Sequence, residues 1–181
     1  MTDFDKARAV LRQFKGDSYL FGTGVLPRVG EVVARIGKKA ALVRDTFAGS
    51  DNFVRIISDS LAQSGVDLVA EIPGARPNCP RQDLFRITEK LKTANVEVVI
   101  SFGGGSTIDA AKAADVLCSL GGEIDAYFGT NLVTEAAASS GTAAVSFRQA
   151  PRLASQEVEG QAKRRGLTPH VAIQTAASSA A

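Results

Sequence analysis

Three consecutive glycines stand where a strand-forming run meets a helical one. Val96 to Phe102 leads into Gly103-Gly104-Gly105-Ser106-Thr107-Ile108-Asp109-Ala110-Ala111-Lys112-Ala113. Residues without a Cβ let an anion approach the backbone closely, and the first turn of a helix offers N–H groups with no partner inside the helix. The chemistry indicated is phosphate binding, with Gly104, Gly105 and Ser106 as the cradle. The plainer reading is a tight turn that needs glycine torsions, but one glycine would satisfy it and the run supplies three, plus a serine. The run is not a Walker loop, because no Gly-Lys-Ser/Thr follows. It also departs from the Rossmann fingerprint: Ile108 takes the place of the third glycine, and the downstream acid Glu123 follows a helix, not a second strand.

Other residues carry weaker chemistry. Asp45, at the end of an apolar run, either caps the next helix or accepts hydrogen bonds from a ribose diol. Asp109 and Lys112 lie one helical step apart and read as a surface ion pair, the alternative being that Lys112 adds positive field at the phosphate site. His170, the single histidine, has neither an orienting acid nor further metal ligands nearby in sequence and reads as structural. No predicted helix carries paired histidines or carboxylates at ligand spacing, so no catalytic or metal-ligating residue is assigned within the chain.

The elements that must position these residues alternate regularly. Asp3 to Phe14 reads as a helix, Ser18 to Phe21 as a short strand, Leu26 to Ile36 as a helix with Pro27 in its first turn, and Lys39 to Val43 as a buried strand. A helix over Phe53 to Leu61, a strand over Val66 to Ile72, a helix over Leu84 to Leu91 and a strand over Val96 to Phe102 follow. The helix after the glycines is rich in alanine, which permits close packing on a sheet. Apolar strands alternating with helices predict an α/β fold, a Rossmann-like, largely parallel sheet with helices on both faces. Ligands of such sheets sit beyond the carboxyl ends of the strands, where Asp45, the Asn78 region and Gly103 to Ser106 all fall. The alternation stops after Gly129. Thr130 to Gly166 is rich in Ala and Ser, shows no period in its first half, and reads as an insertion or linker with a short helix at Gln156 to Lys163. A last strand is predicted over Leu167 to Thr175.

With 181 residues and a net charge of +2, the chain is one domain's worth of sequence without the positive charge that nucleic acid or an anionic membrane would call for. The densest basic cluster, Lys163-Arg164-Arg165, lacks aromatic neighbours to stack on bases and reads as solvated surface. Cys79 and Cys118 read as two unpaired thiols of a reducing compartment. Charged residues interrupt every apolar stretch, and the amino-terminal helix carries acids where a signal peptide would not. The expectation is a soluble, cytoplasmic protein.

Phe102 to Ala113, with its triple glycine followed by Ser-x-x-Asp-x-x-Lys, resembles the cofactor-phosphate motif of the iron-containing (group III) alcohol dehydrogenases. That family includes glycerol dehydrogenase and maleylacetate reductase and is related to dehydroquinate synthase. Tyr19 to Gly24 resembles the family's opening strand and turn, Leu42-Val43-Arg44-Asp45 its second strand, and Pro77-Asn78 the pair before the next helix. Ile173 to Ser179 resembles more loosely a Thr/Ser-rich strand end that lies along the cofactor, with Gln174 in place of a proline and Ala176 in place of a threonine.

The resemblance implies a dehydroquinate synthase-like N-terminal domain formed by residues 1–129 plus 167–181, binding NAD in preference to NADP. Asp45, Gly104, Gly105, Ser106, Asp109, Thr175 and Ser178 are the implied cofactor contacts. It implies an oxidoreductase acting on the CH–OH group of a small alcohol or on the aldehyde. Its divalent metal, iron or zinc, is held by a helical C-terminal domain that has no counterpart here, so the chain is expected to bind cofactor but to be inactive alone. The alternative is a non-catalytic nucleotide-binding or partner-docking fragment. A domain face left bare also leads to the expectation of a homo-oligomer.

Overall fold

The computed structural model describes residues 2–139 and 166–175. The order of regular elements is α1 (Asp3–Lys15), α2 (Val29–Val33), β1 (Lys39–Arg44), α3 (Ser50–Gln63), β2 (Asp67–Pro73), α4 (Arg81–Ala94), β3 (Val98–Gly103), α5 (Gly105–Leu120), α6 (Leu132–Ser139) and β4 (His170–Gln174). The four strands form one parallel sheet in the order β2-β1-β3-β4. Their carboxyl ends are level, since Arg44 pairs with both Pro73 and Phe102, and Gly103 pairs with Gln174.

Strand alternation divides the core in two. Ala40 and Leu42 of β1 and Val98, Ile100 and Phe102 of β3 face one side, against Val29 and Val33 of α2 and Val54, Ile57 and Leu61 of α3. Ala41, Val43, Ile72 and Val99 face the other, against Leu84, Ile87 and Leu91 of α4 and Ala110, Ala111, Ala114 and Leu117 of α5. The helices therefore cover both faces, as the apolar strands predict. Three alanines of α5 are fully buried, so a helix of small side chains lies close to the sheet. On the opposite face α2 approaches α3 closely at Gly30. A Cβ there would run into the Ser60 carbonyl, and the Gly30 N–H donates to Ser60 Oγ at 2.9 Å.

Three elements differ from the sequence expectation. Ser18 to Phe21 is not a strand: a 3₁₀ turn spans Gly16–Ser18 and the next residues run irregularly. A strand needs a neighbour to complete its hydrogen bonds, and no described strand pairs with this segment. The helix expected over Leu26 to Ile36 is a 3₁₀ turn at Leu26–Arg28 followed by the short α2. The third difference is α6, in the first half of the stretch read as an insertion or linker, where no element is expected. It packs on α5 and the 3₁₀ turn Ile124–Tyr127, with Ala137 buried. Alanine favours helix yet gives little hydrophobic contrast, so α6 leaves almost no periodic signal. Gln156 to Lys163 and the basic cluster Lys163-Arg164-Arg165 lie outside the described residues. No described helix is long and apolar enough to cross a membrane, and Cys79 and Cys118 are both free and half-buried.

Candidate functional site: a glycine junction at the carboxyl edge of the sheet

The strand order fixes where a ligand can enter. From β1 the chain passes through α3 to β2 on one side, whereas β4 lies beyond β3 on the other. Between the carboxyl ends of β1 and β3 the connections thus diverge, which opens a crevice at the topological switch point. Asp45 follows β1 and Gly104 follows β3. A cleft of about 410 Å³ at this point is lined by Asp45, Phe47, Gly74, Arg76, Pro77 and Gly104 to Thr107, among others.

The three glycines differ in what the chain itself requires of them. None has a positive φ, so the turn does not depend on glycine torsions. Gly103 is required by packing, since a Cβ there would fall 2.5–2.8 Å from the Asp45 carboxyl group. At Gly104, the N-cap of α5, the backbone is ordinary (φ −80°, ψ −179°) and a Cβ would find its nearest atom 3.9 Å away. Neither torsion nor packing among the described residues explains that glycine, and its missing Cβ keeps the cleft open. The first intrahelical bond of α5 is Ile108 N–H to the Gly104 carbonyl at 3.1 Å. The N–H groups of Gly105, Ser106 and Thr107 have no partner among the described residues and form the positive end of a helix of 16 residues.

Asp45 is bound to this junction across the sheet. Its Oδ2 accepts the Gly104 N–H at 2.9 Å, and its Oδ1 accepts the Thr107 hydroxyl. The carboxylate therefore caps α5, 59 residues further along the chain, and not the helix that directly follows it. Two of its roughly four acceptor directions are used, which leaves room for a diol. Arg44, immediately before it, is tied to Glu71 of β2 and Asp51 of α3 at 2.8 Å each, and this fixes the strand end from below.

The remaining sequence candidates are placed as follows. Ser106 Oγ accepts the Asn78 N–H at 3.2 Å, so the Pro77-Asn78 pair is drawn onto the junction and the serine proton stays available for donation. Thr175 lies at the end of β4, its N–H bound to the Gly103 carbonyl at 3.0 Å. It lines a second pocket of about 650 Å³ with Lys112, Ile108 and Gln174. Asp109 is exposed on the first turns of α5. No ion pair joins it to Lys112 among the described residues, contrary to the surface-pair reading. Ser178 lies outside the described residues.

His170 is half-buried on β4, its Nε2 2.7 Å from Ser101 Oγ. Burial and then the Lys112 charge push its pKa down to about 4, so the imidazole is neutral at ordinary pH. On α5, Asp115 accepts the Thr168 N–H at 3.1–3.2 Å, and burial raises its carboxyl above the usual value. Burial, reinforced by Asp109 and Asp83, also raises the Cys79 thiol, which disfavours a reactive thiolate beside the junction.

Two residues of the site escaped the sequence reading. Thr107 is 1% exposed, and its hydroxyl joins Asp45 to the Ala75 N–H, which donates to it at 3.1 Å. Gly74, after β2, gives Thr107 room: a Cβ there would overlap the threonine hydroxyl. A threonine in the first turn of a helix is too common to signal such a bridge, and Gly74 reads as the end of a Pro-Gly turn.

The sequence profile for iron-containing alcohol dehydrogenases matches residues 16–181. Over 115 residues the chain is 33% identical to the NAD-dependent methanol dehydrogenase of Bacillus methanolicus, covering 63% of this chain and 30% of that protein. It is 34% identical, also over 115 residues, to the sulfoacetaldehyde reductase of Bilophila wadsworthia, covering 62% of this chain and 29% of that protein. Among solved structures, NADH-dependent butanol dehydrogenase A from Thermotoga maritima superposes with a TM-score of 0.55 at 31% identity, covering 60% of this chain and 28% of that one. The chain thus spans about 30% of the length of these relatives. With a profile match over nearly its whole length, and a parallel sheet bearing the glycine junction at its switch point, the chain belongs to the iron-containing alcohol dehydrogenase family.

Proposed function

We propose that this chain is the cofactor-holding part of an NAD-dependent oxidoreductase that interconverts a small alcohol and its aldehyde. Residues 1–129 and 167–181 would form the dinucleotide-binding domain. The observation that carries the reading is Gly104: with ordinary torsions and no neighbour to avoid, it leaves a Cβ-sized space in front of three unpartnered N–H groups. A pyrophosphate is the ligand such a cradle suits, because it brings two anionic groups to a helix N-terminus. Gly104, Gly105 and Ser106 would hold it, with the Ser106 hydroxyl donating. Asp45 would accept the adenosine ribose hydroxyls on the β1 side. Thr175, and Ser178 after it, would flank the cofactor on the β4 side, where the 650 Å³ pocket has space for the nicotinamide half. Asp109 and Lys112 would bound the far side of the first two turns of α5.

Bound there, the nicotinamide supplies the hydride acceptor or donor; the residues of this chain bind it, orient it and exclude water from its phosphates. The divalent metal of the family finds no group of three His, Cys, Asp or Glu side chains to hold it among the described residues. Calorimetric titration of the chain with NAD⁺ tests the reading. Binding is expected in the wild type and a loss of about tenfold or more in Gly104→Val, since a side chain in the cradle blocks close approach of the phosphate. Failure of the folded wild-type chain to bind, or equal binding by Gly104→Val, would overturn it.

A further inference from the structure

We infer that Thr107 is a positioning residue for cofactor selection: its buried hydroxyl sets the orientation of the Asp45 carboxylate and thereby the preference for an unphosphorylated ribose. The inference rests on the reading above, in which Asp45 faces the ribose. Thr107 is held from three sides. It sits in the first turn of α5, it is 1% exposed, and its oxygen accepts the Ala75 N–H at 3.1 Å. With that lone pair occupied, its one proton has two acceptors in reach. The Ala75 carbonyl is 3.4 Å away, and the Asp45 carboxylate is much closer and carries a charge. Charge-assisted hydrogen bonds are the stronger kind, so the proton goes to Asp45.

The Gly104 N–H holds the other carboxylate oxygen. Two donors from one helix turn, on two different oxygens, fix the plane of the group as well as its position. The free acceptor directions then point to the cleft that Asp45 lines. Gly74 completes the device, because any Cβ there would displace the threonine hydroxyl. A carboxylate held in this way presents two acceptors to a 2′,3′-diol and an unscreened negative charge to a 2′-phosphate. Without the Thr107 donor, one oxygen is released and the group can turn away from either ligand.

The test compares wild type, Thr107→Val, Thr107→Cys and Thr107→Ser in the full chain, titrated with NAD⁺, NADP⁺ and inorganic pyrophosphate. Thr107→Val is isosteric but cannot donate. It is expected to weaken NAD⁺ about tenfold or more and to narrow the NAD⁺ over NADP⁺ preference to within about threefold. Pyrophosphate, which does not meet Asp45, should bind within about twofold of wild type. Thr107→Ser keeps the hydroxyl and should restore both the affinity and the preference. A general loss of folding would lower all three ligands together and would not restore selectively, so that pattern overturns the inference. If Thr107→Val does not fold, Thr107→Cys, with its weaker donor, is read in its place. Wild type binding NAD⁺ with an unchanged preference in the variants overturns the positioning role alone. Wild type binding neither NAD⁺ nor pyrophosphate overturns the cofactor reading with it.

Discussion

Adjacent glycines in this chain do different jobs, and substitution separates them. Gly103→Ala forces a methyl group to within 2.5–2.8 Å of the Asp45 carboxyl group, which must move and give up its bonds to Gly104 and Thr107. A loss of about 2–3 kcal/mol is expected, read as a lower urea midpoint. Gly104→Ala meets nothing nearer than 3.9 Å, so its stability should stay within about 1 kcal/mol of wild type. The more stable of the two variants is nonetheless the one expected to lose phosphate binding. Equal destabilisation by both alanines would show that the junction is built only for folding. The separation arises because one glycine is crowded by the chain itself and the other faces an open cleft.

Among the elements, β4 carries a titratable group whose charge state bears on its stability. Its His170 is half-buried and neutral beside Ser101, with the Lys112 charge of α5 acting on it. The folded pKa of about 4 lies below the ordinary value of 6.5, so the unfolded chain binds the proton more readily. The stability that His170 contributes is therefore complete above pH 6.5 and is lost as pH falls through 4, by at most about 3 kcal/mol. Asp115 acts in the opposite sense. Burial raises its carboxyl, so its contribution is largest below the ordinary Asp value of 3.8 and is lost as pH rises past it. Chemical denaturation between pH 7 and pH 4 should show falling stability in wild type and a flatter profile in His170→Gln. A profile unchanged by that substitution would remove His170 as the cause. Because Thr175 at the end of β4 is bonded to Gly103, loosening of this strand should also weaken cofactor binding at acid pH.

At the scale of the molecule, the sheet separates two cores among the described residues, one on each face. Ile57 of α3 and Ile87 of α4 are fully buried on opposite faces. Each Ile→Ala change should cost about 2–5 kcal/mol, and the double variant should be additive within about 0.5 kcal/mol, since the two share no packing partner. Strong non-additivity in thermal or urea unfolding would mean that the faces are coupled through the thin, alanine-rich contact of α5. In the same two-sided arrangement the described helices occupy the faces, and the cleft at the carboxyl edge is bordered by loops and the N-terminus of α5.

The local sequence determined which segments extend and which coil. Apolar strands at Lys39, Val66 and Val96, helices between them, and a glycine-rich start to α5 are all written in runs and periods of a few residues. It misjudged Ser18 to Phe21, whose strand-like residues lack a neighbouring edge, and the alanine-rich α6, whose residues lack contrast. What the tertiary structure alone decided is the company that Asp45 keeps. By sequence it faces two readings, capping the next helix or binding a ribose. In the fold it caps a different helix, because β1 lies beside β3 and not beside a strand nearer in sequence on that side. Thr107 and Gly74 became part of the site for the same reason. Parallel pairing joins segments tens of residues apart, and no local period encodes which strand ends up next to which; that is settled by how the two apolar faces are covered at once.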